Sequence, residues 1–160
     1  VKTFSSPKMF AAHLVKLAAI SEEVLAHATK KSAEEIRDTA QGMIGQYQDA
    51  IGPYAKWEEL ADSTEAEKAR LGFSLDAPLL RTGEMKKSIQ ETTEGKKAVV
   101  GSKDKNMVYH ELGTLHIPPR PVLGPAVMHS KERVGKFIGK TTVAWLCGVG
   151  WRQPRKISAS

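Results

Sequence analysis

The sequence predicts an α+β fold: two N-terminal helices, a small antiparallel sheet made as a β-hairpin, and a C-terminal helix packed on it. Three observations carry this. Apolar residues recur mostly at helical spacing from Leu14 to Tyr47, and again from Val127 to Val143. Between those stretches, two short strand-compatible runs flank the turn pair Glu94-Gly95. Three prolines (Pro118, Pro119 and Pro121) then fix φ over a short connection and push each preceding residue into extended geometry, so that segment is a stiff arm and not a helix.

Each element has its own local signal. Ser6-Pro7 reads as a helix start, with serine as the cap and proline in the first turn. The periodicity slips around Ile20-Ser21, and Ser21 followed by Glu22-Glu23 predicts a restart there; Ser32 with Glu35 has capping-box spacing too. The second helix, ending before Gly52-Pro53, runs about 43 Å if it spans residues 22–50. That is long for one small domain, so packing against a neighbouring subunit is expected. Trp57 is an anchor, followed by a short helix from Thr64 to Leu71 closed by Gly72. Glu65 with Lys68, and Glu67 with Arg70, are spaced as surface pairs. A strand near Lys86–Thr93 turns at Glu94-Gly95 into a returning strand over Ala98–Ser102. Met107 to Leu112 forms a helical turn or two, stopped by Gly113. After the arm, Pro125 opens the last helix, which reaches Leu146; Gly135 and Gly139 on one face weaken it or admit a close backbone.

At 160 residues the chain suits a single α+β domain over 1–147, with a helical part at 6–50 and an α+β part at 51–147. Residues 148–160 read as a basic, flexible tail. The single cysteine, Cys147, excludes an internal disulfide framework and suits a reducing cytoplasm. No apolar run approaches the length of a membrane span, and Phe10 to Ile20 is interrupted by His13 and Lys16, so neither secretion nor anchoring is expected. The net charge of +6 is uneven: residues 1–95 hold 12 Lys/Arg against 15 Asp/Glu, and residues 96–160 hold 12 against 3. An acidic protein surface or nucleic acid as neighbour fits this asymmetry, and so does a solvated basic face.

Chemistry-bearing spacings are missing. His110-Glu111 begins like a zinc-hydrolase motif, but the second histidine needed one turn later is replaced by Thr114. Glu111 is better suited to holding a backbone amide or Arg120. Cys147 lies in an apolar run beside Trp145 and Val149 and behaves as a small hydrophobe. Ser63, Ser88 and Ser102 lack the glycine frame of a nucleophile elbow, and Gly139-Lys140-Thr141 lacks the earlier glycine that a phosphate loop needs. No enzyme, cofactor, metal or small-molecule substrate is predicted. Lys131, Arg133, Lys136 and Lys140 on the last helix, with Arg152, Arg155 and Lys156 beyond it, are placed to contact phosphates. A basic DNA-binding accessory protein is therefore the alternative reading.

One ordered series of short motifs resembles a known family. It runs Trp57-Glu58-Glu59-Leu60-Ala61, Ser63-Thr64 with Lys68, Pro78-Leu79-Leu80-Arg81-Thr82-Gly83 with Ser88-Ile89, Val100-Gly101-Ser102, Tyr109, Glu111-Leu112-Gly113-Thr114 and Ile117-Pro118-Pro119-Arg120-Pro121. In order and spacing, over residues 55 to 130, it is similar to the tail-completion (virion-morphogenesis) proteins of long-tailed bacteriophages. Val122 departs from the pattern, which leads one to expect an aromatic there. The resemblance implies a structural virion protein of the neck or tail, assembled in the host cytoplasm, that completes the tail and supports head–tail joining as a ring. Its implied partners are copies of itself (a hexamer, as tail tubes are six-fold), other neck and tail proteins, and DNA in the lumen. Tyr109, Glu111, Pro119, Arg120 and Pro121 are the expected interface, with Trp57, Thr82 and Gly83 positioning the arm. A carboxylate, from Glu111 or from the N-terminal part of this chain or of a neighbour, is the expected partner of Arg120.

Overall fold

The computed structural model describes residues 3–148. Along the chain run α1 (Pro7–Met43), α2 (Asp62–Arg70), α3 (Glu84–Ser88), β1 (Ile89–Glu94), β2 (Lys97–Ser102), α4 (Lys105–Leu112) and α5 (Leu123–Cys147). The class is α+β, with β1 and β2 as an antiparallel hairpin. No described helix is long and apolar enough to cross a membrane.

The N-terminal helix is one, not two. It starts as its sequence predicts: Ser6 Oγ accepts from Met9 N at 3.3 Å, with Pro7 as the first helical residue. It then continues through Ile20-Ser21, because Ser21 Oγ donates to the Ala18 carbonyl at 2.8 Å and does not cap a new helix. Ser32 does the same to Ala28, also at 2.8 Å. A serine hydroxyl satisfied within the previous turn no longer competes with the helix. The resulting 37 residues extend about 55 Å. The end comes earlier than Gly52-Pro53: Gly45 takes φ +97° and its N–H donates to the Pro78 carbonyl at 2.9 Å, leading the chain out of the helix.

Two further boundaries move. Lys86 to Ser88, predicted as strand, belong to α3, whose first turn opens on Gly83 at φ +81°. The hairpin itself turns at Gly95, φ +55°. Pro125 lies in the first turn of α5, two residues after its start. Around Gly135 and Gly139 an added Cβ would meet nothing within 4 Å, so neither is there to admit another part of this chain.

Two compact units emerge, and they cut across the 6–50 and 51–147 parts. The first comprises the described residues of Val1–Glu35 and Lys131–Ser160, with Thr92–Val99. In it the first part of α1 and the last part of α5 run antiparallel. Leu17 O accepts from Trp145 Nε1 at 3.1 Å, the His27 and Phe137 rings lie 6.2 Å apart, and Glu35 pairs with Arg133 at 2.5 Å. Val24, Ala28, Ala33 and Phe137 are buried there, and Lys96 on the hairpin turn reaches Glu22 at 2.5 Å.

The second unit, Ile36–Glu91 with Val100–Ser130, holds the larger core. Ala40, Met43, Ile44, Trp57, Ile89, Met107, Val122 and Ala126 are buried together, and Leu79, Leu80, Met85, Val100 and Leu123 close over them. Val122, where an aromatic was expected, is fully buried in this cluster. Strand β1 is tied to α1 twice: Gln41 Nε2 donates to the Ile89 carbonyl at 2.9 Å, and Arg37 pairs with Glu91 at 2.6 Å.

Candidate interaction site

The proline arm is placed by its two flanking helices. Asp104 caps α4 by accepting from Asn106 N at 2.9 Å. At the other end of α4, Gly113 adopts φ 74°, ψ 171°, a conformation essentially restricted to glycine. A Cβ there would also come within 3.0 Å of Pro119 Cδ and 3.1 Å of the Ile117 carbonyl oxygen. Thr114 folds the next residues into a tight turn: its N–H donates to Ile117 O at 2.8 Å, and its Oγ1 accepts from Ile117 N at 3.1 Å. From Ile117 the chain runs without helix or strand to α5.

Along this run the arm is held by the chain's own Trp57–Glu59 segment and by α4. Arg120 N donates to His110 O at 2.6 Å. Trp57, 1% exposed, donates through Nε1 to the Pro121 carbonyl at 3.1 Å. Glu111 Oε1 accepts from Val122 N at 3.0 Å and Leu123 N at 2.6 Å, satisfying free amides and placing negative charge at the start of α5. Of the two roles predicted for Glu111, the structure selects the backbone amide.

Within this chain Arg120 meets backbone carbonyls and not the Glu111 carboxylate. Only 6% exposed, it donates through Nη2 to the backbone carbonyls of Glu58 and Glu59, each at 3.0 Å. The Glu58 and Glu59 side chains themselves are exposed. Nε of Arg120 is buried with no hydrogen-bond partner, and so is Nδ1 of His110. Burial, then the Arg120 charge, lowers the His110 pKa from its ordinary value.

Both nitrogens belong to residues lining a groove of about 640 Å³ beside the arm. Its walls include Leu60, Leu71, Leu80, Met85 and Ile117, with Glu58, Glu59, Glu67, Lys68 and Arg81 among its charged residues. Lys68, predicted to be a surface partner of Glu65, is instead 8% exposed and donates to the Ala77 carbonyl at 2.6 Å. Desolvation lowers its pKa. Glu67 faces Arg81 across 3.2 Å rather than Arg70. A backbone carbonyl as acceptor leaves no signature in sequence, which is why charge spacing misplaced Lys68.

The remaining predicted residues scatter. Tyr109 is 52% exposed and Pro119 is exposed, whereas Pro121 is buried. Thr82 and Gly83 do not position the arm through a hydrogen bond: Thr82 Oγ1 accepts from Glu84 N at 3.4 Å, at the start of α3. Lys131 and Lys140 are exposed on α5, while Lys136 pairs with Glu132 at 2.8 Å and Arg133 with Glu35. Arg152, Arg155 and Lys156 lie outside the described residues. No family model, characterised protein or solved structure matches the chain.

Proposed function

We propose that this chain is a structural virion protein of the neck or tail of a long-tailed bacteriophage, completing the tail and supporting head–tail joining by assembling into a ring. What supports the reading most is the mutual bonding of the motif residues that carry the family likeness. Trp57 bonds Pro121, the Glu58 and Glu59 carbonyls hold Arg120, and Glu111 secures the end of the arm. Ser88 and Ser102 share a hydrogen bond at 2.6 Å as well. Motifs far apart in sequence thus specify one local structure, as a family pattern must, and chance matches have no reason to.

Self-association draws on the first unit. Met9, Phe10, Leu14, Val15, Ile20 and Leu25 on α1 are all at least 38% exposed, which leaves apolar side chains on more than one side of the helix open to protein contacts. A closed head-to-tail ring is the assembly proposed, six copies by analogy with six-fold tails. The role is structural, with no catalytic step. DNA contact through Lys131 and Lys140 remains secondary, since the other two helical cations are engaged in ion pairs.

Deletion of the gene tests the proposal. Lysates are expected to hold filled heads beside unjoined or aberrant tails, with the protein restored in trans rescuing joining. Normal infectious particles from a clean deletion would overturn it.

A further inference from the structure

The groove beside the arm and the outer face of α4, both in the second unit, complement each other. The groove has an apolar wall that includes Leu60, Leu71 and Leu80. Its cations are already engaged: Arg120 and Lys68 are buried and donate to backbone carbonyls, and Arg81 pairs with Glu67. The side chains of Glu58 and Glu59 are exposed in the same lining, and among the described residues neither has an ion pair. Arg120 holds the backbone beneath them, so this acidic edge is fixed before anything meets it. An apolar surface with a cation at its side fits both features.

Helix α4 carries such a surface. Val108 is 54% exposed, Tyr109 52% and Leu112 78%, and Lys105 is exposed one turn before Val108. At about 100° per residue these four fall within an arc of about 100°. Asn106 and His110, which line the groove, lie roughly a third of a turn from the centre of that arc. The carboxylates next to this face on α4 are otherwise engaged, Asp104 as the cap and Glu111 with the Val122 and Leu123 amides. The face that could dock and the groove that could receive it thus lie on different sides of one helix, as a head-to-tail contact between copies requires.

We infer that the groove of one copy receives the α4 face of the next. Lys105 of the incoming copy meets Glu58 and Glu59, and Val108, Tyr109 and Leu112 lie along the leucine wall. A volume of about 640 Å³ takes several side chains of a docked helix. A second copy is favoured over an unrelated protein because this chain presents both halves of the match. Nucleic acid is disfavoured by the two unpaired carboxylates. This contact rests on the ring reading and names one of its joints; it links second units, whereas the α1 surface belongs to the first.

Sedimentation-velocity ultracentrifugation of the purified full chain over a range of concentrations tests it. Lys105→Glu is expected to weaken self-association about tenfold by setting like charges together, and Glu58→Lys with Glu59→Lys to do the same. All three substitutions in one chain should restore association, a rescue that loss of folding could not produce. Leu112→Ser should weaken it through the apolar wall alone. Association that persists through both charge reversals, or that their combination fails to restore, overturns this contact and leaves the ring reading standing. A chain that stays monomeric throughout overturns the contact as well, and the ring reading is then decided by the deletion phenotype.

Discussion

Arg120 and His110 lie next to each other in the chain's most constrained region, and each supplies a measurable consequence. Removing the Arg120 side chain removes two charge-assisted hydrogen bonds to the Glu58 and Glu59 carbonyls. Arg120→Ala is therefore expected to lower unfolding free energy by roughly 1.5–3 kcal/mol, measured by urea denaturation, and, on the proposed virion reading, to reduce tail joining. Arg120→Lys should recover only part of both, because lysine's shorter stem holds its ammonium short of the Nη2 position that bonds both carbonyls. Equal stability of all three would make Arg120 a bystander. For His110 the sign follows from its lowered pKa. The unfolded chain takes up the proton first, so the stabilisation is present above the ordinary imidazole value of about 6.5 and is lost as pH falls through it toward the folded value. His27 is lowered in the same direction, by burial first and then Lys31. Denaturation midpoints should drop between pH 7.5 and 5, and the drop should shrink in His110→Gln. A variant with an unchanged pH profile would refute the assignment. At this scale the sequence offered two partners for Glu111, a backbone amide or Arg120, and the amides of Val122 and Leu123 are the ones it meets. It concealed the acceptors of Arg120 and Lys68, because every residue carries a carbonyl.

Among the elements, the turn at Gly113 matters most to the arm. Its φ and ψ are accessible to glycine, and Pro119 and the Ile117 carbonyl occupy the space of a Cβ. Gly113→Ala should cost about 1–3 kcal/mol from the backbone alone and loosen the Thr114 turn, seen as faster amide exchange at Ile117 and Arg120. Exchange as slow as in the wild type would show that the turn tolerates a side chain. The hairpin was legible because Gly95 has the positive φ that its glycine announces. The continuity of α1 was not. Ser21 presents a helix-cap signal in sequence, and only the geometry of its bond to Ala18 shows the hydroxyl satisfied inside the helix. The loss of Lys86 to Ser88 from the first predicted strand has a similar cause: Gly83 supplies the entry to a helical turn, and Ser88 Oγ closes it on the Met85 carbonyl at 2.6 Å.

For the molecule as a whole, both units leave large apolar side chains outside. The second unit gathers its large side chains around Trp57, while α1 in the first unit keeps Leu14 at 47% and Val15 at 70% exposure. Leu14→Glu combined with Val15→Lys is expected to leave the thermal midpoint within a few degrees, as exposed substitutions usually change stability by less than about 0.5 kcal/mol. If the protein forms the proposed ring, the same pair should abolish its self-association, measured by sedimentation-velocity ultracentrifugation of the purified protein. Unchanged oligomers would move the contact elsewhere. Which segments join into which unit could not be read from the sequence, since it depends on pairings between residues more than ninety positions apart, such as Glu35 with Arg133.

The bonds around the arm also determine what happens if the chain is cut there. Leu115 is 99% exposed at the tip of the Thr114 turn, the kind of site where proteases nick folded domains. Every anchor described for the arm crosses a break after Leu115. Trp57, Glu58, Glu59, His110 and Glu111 would remain on one fragment, and Arg120, Pro121, Val122 and Leu123 on the other. Cleavage there should give two bands under denaturing conditions and one undivided species in native chromatography, so the arm joins as a clasp joins and not only as a link in the chain.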